Sequence, residues 1–280
     1  MHTLVQTPDG LALHLHHWRP ARPPRGTVLI VHGLGEHGER YAHVAAALQA
    51  KGWSVVAYDQ RGHGHSAGAQ GDIAQEDSLL SDLAAVVDQV RSGFVGPFVL
   101  LGHSLGGLVA ARFVAEALMP RPAGWSRPVD ALVLSSPALD PGMNAVQKAL
   151  LAVVPRVLPH LRVNNGLKPE WISRDPAVVK AYVDDPLVHD RISGLLGRFI
   201  AEAGPVVLGQ ASRWVTPTLL MWAGADRCVR PAGSARFAST APPAVVAHRE
   251  WPGLAHEILN EPEKAEVLSS LARWLDAQVP

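Results

Sequence analysis

LLGHSLGGL, Leu100 to Leu108, is the stretch on which the reading of the fold turns. The apolar run FVLLGH (98–103) that leads into it has the length and composition of a buried strand. From Leu105 onward, Leu105, Val109, Phe113 and Val114 recur at helical spacing. Ser104 therefore sits on a strand-to-helix turn. Such a turn forces the serine backbone into a strained conformation and folds the chain back so closely that side chains at 102 and 106 would collide, which gives Gly102 and Gly106 a mechanical reason. It also brings a helix N-terminus, with its free N–H groups, beside the hydroxyl.

The same Gly-x-Ser-x-Gly frame recurs at Gly64-His65-Ser66-Ala67-Gly68. There a polar loop separates Ser66 from the strand ending at Asp59, and AQGDIAQED carries no apolar helical stripe. Ser66 is expected to shape a local turn. Ser104 is the candidate nucleophile.

Outward from this turn the chain repeats one theme. TVLIVH (27–32), SVVAYD (54–59), ALVLSS (131–136), TLLMWAG (218–224) and AVVAHREW (244–251) read as further strands, after two short segments near Leu4 and over 11–18. Between them Leu79, Leu80, Leu83, Val86, Val87 and Val90 share a helical face, and a last helix is expected with Asn260 as its N-cap. The alternation predicts an α/β fold: a doubly wound, mostly parallel sheet with ligands at the strand C-termini. From 138 to 212 strands are not expected. Prolines, an Asp175-Pro176 helix start and the stripe Ile192, Leu195, Leu196, Phe199, Ile200 predict an all-helical cap inserted into a core made of 1–137 and 213–280.

A serine hydroxyl needs a base within reach and a carboxylate to orient that base. On a sheet of this order the acid follows a late strand and the histidine follows the last. Asp226, in GADRCV, and His256, in GLAHEILNE, hold those positions. Asp140 is the rival acid, although its Asp-Pro turn explains it adequately. His103 is expected to point away from the attack face, and Glu257, Asp184 and Asp185 to be solvated or capping charges. An oxyanion hole would use the N–H of Leu105 and one from HGLGEH (32–37), where Leu34 is the candidate.

The 25 Lys and Arg balance the 25 Asp and Glu, which removes a general electrostatic case for nucleic acid. The single cysteine, Cys228, permits no intrachain disulfide. The opening MHTLVQTPDG lacks the pattern of a secretory signal, and the expected location is cytoplasmic. No metal or cofactor is expected: His14, His16, His63 and His65 have suggestive spacing but no third ligand. No obligate protein partner is evident.

HGLGEHGERY (32–41), DQRGHGHS (59–66), GHSLGG (102–107), AGADRCV and GLAHEILNE together resemble the monoacylglycerol lipase and lysophospholipase-like branch of the α/β-hydrolases. The resemblance implies Ser104, Asp226 and His256 as a triad, Leu34 and Leu105 as oxyanion donors, and Glu36 and Arg40 as a polar contact for the glycerol end of a monoacylglycerol. It leaves lysophospholipase, general carboxylesterase and thioesterase activity open, as well as a non-catalytic receptor. The stretch NAVQKALLAVVPRVLPHL (144–161), with Lys148, Arg156 and Arg162 nearby, reads either as an acyl-binding lid in transient contact with membrane surfaces or as a cap helix packed on its neighbours.

Overall fold

The computed structural model describes residues 3–94 and 96–278. The chain begins with β1 (Leu4–Gln6), β2 (Ala12–Trp18), β3 (Gly26–Val31), α1 (Ala42–Gln49), β4 (Trp53–Tyr58) and α2 (Ser78–Arg91). It continues through β5 (Phe98–His103), α3 (Leu105–Ala115), β6 (Ala131–Ser135), α4 (Ala145–Val157), β7 (Arg162–Asn164) and α5 (Pro176–Asp184). β8 (Arg191–Ser193), α6 (Gly194–Gln210), β9 (Thr218–Ala223), α7 (Pro231–Thr240), β10 (Val246–Trp251) and α8 (Lys264–Gln278) complete it.

Eight strands form one sheet in the order β1-β2-β4-β3-β5-β6-β9-β10. β4, β3, β5, β6, β9 and β10 run parallel, and β1 and β2 add an antiparallel edge. Both faces are covered, so the central strands are buried at every position rather than at alternate ones and are largely apolar. On one face the core joins Leu29, Leu100 and Leu132 to α2, α3 and α6. On the other, Ile30, Leu101 and Val133 pack with Val44 of α1 and Leu271 of α8.

The order of connections sets the site. From β3 the chain goes to β4 on one side, then crosses back to β5 on the other. Loops leaving the carboxyl ends of β3 and β5 therefore diverge and open a crevice between them. Val31 registers with Gly102, so the loop starting at His32 lies beside Ser104.

Two expectations need correction. Residues 138–212 are not all helical: β7 and β8 pair antiparallel, Val163 opposite Ile192. Each is three residues long and its partner is remote in sequence, so neither leaves a local periodic signal. Nor does Asn260 cap the last helix, which starts at Lys264. Asn260 instead donates to Glu257 (2.7 Å), while the neighbouring Glu261 carboxylate is taken up by Ser173 and Arg174. Asp175 does open α5, accepting from the Ala177 N–H.

Candidate active site

Ser104 has φ 53° and ψ −120°, a conformation that costs a non-glycine residue about 1–3 kcal/mol. Its surroundings hold it there. Its N–H donates to the Ser135 carbonyl, and its own carbonyl accepts from Leu108 and Ala138, each at 3.0 Å. A Cβ at Gly106 would run into the carbonyl oxygens of Val31 and His32, and one at Gly102 into the Gly106 backbone. The glycines are thus required by the close approach of strand, turn and helix, as the spacing predicts. Ser66 has another use: its Oγ accepts from His14 N–H and donates to the Asp59 carbonyl, closing a loop.

The loop after β3 runs alongside. A Cβ on Gly33 would stand 3.2 Å from Ser104 Cβ, and the Gly33 N–H donates to Glu36 Oε1 at 2.5 Å. Leu34 follows on the cavity wall. Leu105 opens α3 immediately after the serine. The residues expected to supply two amide donors therefore flank Ser104 from either side.

His256 Nδ1 donates to Asp226 Oδ2 at 2.7 Å. The other oxygen of Asp226 accepts from the amides of Cys228 (2.8 Å) and Val229 (3.0 Å). Burial opposes a charge on the His256 ring, but the Asp226 carboxylate, with Glu257 and Glu36 beyond it, raises its pKa above the ordinary imidazole value. Asp140 is engaged elsewhere, its carboxylate accepting from Gly142 N–H inside the Asp-Pro turn.

His103 does not point away as expected. It lines the same cavity as Ser104, with its ring centroid 4.8 Å from that of His256 and its Nδ1 3.1 Å from Ser135 Oγ. Burial, reinforced by His256, lowers its pKa to about 4, so at neutral pH it is an uncharged neighbour of the base. Glu257 also departs from expectation. Its side chain is 5% exposed, and Arg40 grips both its oxygens at 2.8 Å. Arg40 binds Glu36 as well, and Glu36 accepts from the Tyr41 hydroxyl at 2.8 Å. Burial alone would push the Glu36 carboxyl up, but Arg40, His103 and His32 outweigh it and hold the pKa at about 2. Asp184 is exposed and pairs with Lys180, whereas Asp185 accepts from His37 at 2.8 Å.

Ser104, His103, His256, Glu36 and Glu257 open into one cavity of about 370 Å³. The core contributes Ser104, His256, Leu34 and Glu36, while Leu167, Ile172, Val183 and Val188 add an apolar wall from the 138–212 segment. Asn165 and Asp190 make part of the rim polar. Sequence reading missed these lining residues because only the folded chain brings them to the cavity that Ser104 shares. Among the described residues, ligand atoms of Asp226, Cys228 and His256 lie within 4.8 Å of one another. Asp226 and His256 already bond each other, and burial pushes the Cys228 thiol up, so these three suit a proton-handling pair beside an inert thiol better than a metal. His16 Nε2 is bonded to Asp59, and His63 Nδ1 to the Arg61 carbonyl.

A family model described as serine aminopeptidase, S33, matches residues 22–263. The chain is 33% identical over 262 residues to a monoacylglycerol lipase of Mycolicibacterium smegmatis, covering 92% of this chain and 90% of that protein. It is 30% identical over 276 residues to an uncharacterized abhydrolase domain-containing protein of Dictyostelium discoideum, covering 98% of this chain but only 28% of that much longer protein. Among solved structures, a monoacylglycerol lipase of Paleococcus ferrophilus superposes with a TM-score of 0.84 at 34% identity, over 95% of this chain and 99% of that one.

Proposed function

Because this chain belongs to the α/β-hydrolases, in their monoacylglycerol lipase-like branch, we propose that it hydrolyses carboxylic esters of single-chain lipids, monoacylglycerols foremost, through an acyl-enzyme. His256 Nε2 takes the Ser104 proton as Oγ attacks the ester carbonyl, and Asp226 holds the ring and steadies its charge. The amides of Leu34 and Leu105 receive the developing oxyanion. The alcohol leaves with the proton returned by His256. Water, activated by the same imidazole, then releases the fatty acid and restores Ser104.

One observation carries this reading: the strained Ser104 and His256, itself held by Asp226, open into a single cavity lined both by apolar side chains and by Glu36. The apolar wall suits an acyl chain, and Glu36 suits an alcohol hydroxyl. Residues 138–212 act as the cap that supplies that wall. Peptide substrates with a free N-terminus fit less well. An ammonium group wants an unpaired carboxylate, and both Glu36 and Glu257 are already bonded to Arg40.

A lipid-surface role for the cap rests on α4. Val146, Leu150, Val153 and Val157 form an exposed stripe, continued by Leu158, Leu161 and Val163 toward the cavity mouth, with exposed Arg156 and Arg162 beside it. The helix has two apolar sides: Val154 and Leu151 face inward, against Gly194 and Gly197 of α6. The Lys148 side chain lies outside the described residues. No described helix is long and apolar enough to cross a membrane. With its one free cysteine, Cys228, the protein suits the reducing cytoplasm.

The test is a panel of monoacylglycerols and simple esters of graded acyl length with wild type, Ser104→Ala and Ser66→Ala, beside a fluorophosphonate label. Turnover and labelling should vanish only in Ser104→Ala. Labelling of Ser66, or full turnover in Ser104→Ala, refutes the mechanism.

A further inference from the structure

Glu36 and Arg40 sit together in HGLGEHGERY, and proximity to the cavity invites one role for both. Their contacts differ. Glu36 is on the cavity wall, whereas Arg40 stands behind it with its guanidinium occupied. Nη1 donates to Glu36 and to Glu257 Oε1, and Nη2 donates to Glu257 Oε2. The Tyr182 ring of α5 lies 4.9 Å from its central carbon, and the side chain is 12% exposed. A planar fork filled at its edge and covered on its face has little left for a substrate hydroxyl.

What Arg40 joins is more telling. Glu36 Oε1 sets the turn that carries Leu34, through Gly33 N–H. Glu257 adjoins His256, its N–H donates to the Ile172 carbonyl of the insertion at 2.8 Å, and its carboxylate also accepts from Asn260. We propose that Arg40 is a positioning residue: it clamps the Leu34 turn, the His256 loop and the cap helix α5 into one register around Ser104. The inference rests on the hydrolase reading above and deepens it. It separates Arg40 from Glu36, which keeps the substrate contact.

The charges around Arg40 give the clamp its own signature. Facing it are Glu36 and Tyr41 of its own loop, Glu257 of the histidine loop, Tyr182 and the His37-paired Asp185 at the end of α5, and His43 of α1, while His256 and His103 lie beyond the two carboxylates and feel them both. Without the guanidinium, two carboxylates near His256 lose their counterion and stabilise its protonated form.

The experiment compares wild type, Arg40→Lys, Arg40→Met and the double variant Arg40→Met with Glu257→Gln. Substrates are a monoacylglycerol and a p-nitrophenyl ester of the same acyl chain, which lacks glycerol. In Arg40→Met, kcat should fall about tenfold to a hundredfold on both substrates with KM nearly constant, since small misplacements of reacting groups cost that much. The acid limb of kcat/KM, and the His256 pKa read directly by NMR, should rise by about one pH unit. The double variant should bring that pKa back. Arg40→Lys keeps the charge without the fork, so it should hold the wild-type pKa and lose kcat. It also carries the test if Arg40→Met does not fold.

A rise in KM confined to the monoacylglycerol would make Arg40 a substrate ligand and overturn the proposal. So would unchanged kcat and His256 pKa accompanied only by a lower Tm. Absence of turnover and Ser104 labelling in the wild type would instead overturn the hydrolase reading, with the NMR pKa still reporting on the clamp.

Discussion

His256 and Asp226 meet at 2.7 Å although 30 positions separate them in the chain, and their side chains are 5% and 1% exposed. β9 and β10 are parallel neighbours, so the loops leaving their carboxyl ends emerge side by side. That arrangement brings a carboxylate to Nδ1 and leaves Nε2 for the cavity.

Asp226→Asn should keep the fold and lower kcat by about 10⁴-fold, because the amide favours the wrong tautomer of His256 and gives no charge stabilisation. Asp140→Asn should keep turnover near wild type, since that carboxylate serves its own turn. Steady-state kinetics on a soluble ester decides between them. Comparable losses in both variants would contradict the pairing.

The pH profile follows from the raised His256 pKa. The base must be neutral to accept the Ser104 proton, so kcat/KM should climb through an apparent pKa above 6.5. Stability runs the other way. A folded pKa above the unfolded one adds stability that is fully present below the unfolded pKa and is lost as pH rises through the folded pKa. Asp226→Asn should remove that contribution, and urea melts across pH 6–9 would detect it.

Gly106→Ala should destabilise the protein by about 3 kcal/mol or more, because its methyl meets backbone that cannot move without breaking the sheet. Gly209→Ala in α6, where nothing lies within 4 Å, should be neutral or stabilising by up to about 0.5 kcal/mol. Urea denaturation of the pair measures the contrast.

On α4, Leu150→Asp and Val153→Asp should abolish flotation with phosphatidylglycerol vesicles while changing stability by less than about 0.5 kcal/mol. Leu151→Asp faces Gly197 and should cost about 2 kcal/mol of stability instead. Wild-type protein that never floats would remove the lipid-surface role.

Much of this molecule is legible along the chain because it is local. Strand and helix order, the apolar faces of α2 and α6, and the glycines at 102 and 106 follow from residue spacing and the steric demands of one turn. Ser104 stands out from Ser66 for the same reason, since a strand and a helix abut only the former. The strand order also narrows the acid and base to two loops.

What tertiary structure decided is pairing at a distance. Sequence position favours Asp226 over Asp140, but only the folded chain brings its carboxylate to His256; nothing near Arg40 announces Glu257, 217 positions away, and nothing in residues 162–164 announces the strand at 191–193. His103 and Glu257 change character for the same cause: burial beside specific partners orients both side chains and leaves His103 uncharged at neutral pH. Local periodicity encodes which face of an element is apolar. Only closure of the sheet and docking of the insertion determine which polar side chains share the space left at its carboxyl edge.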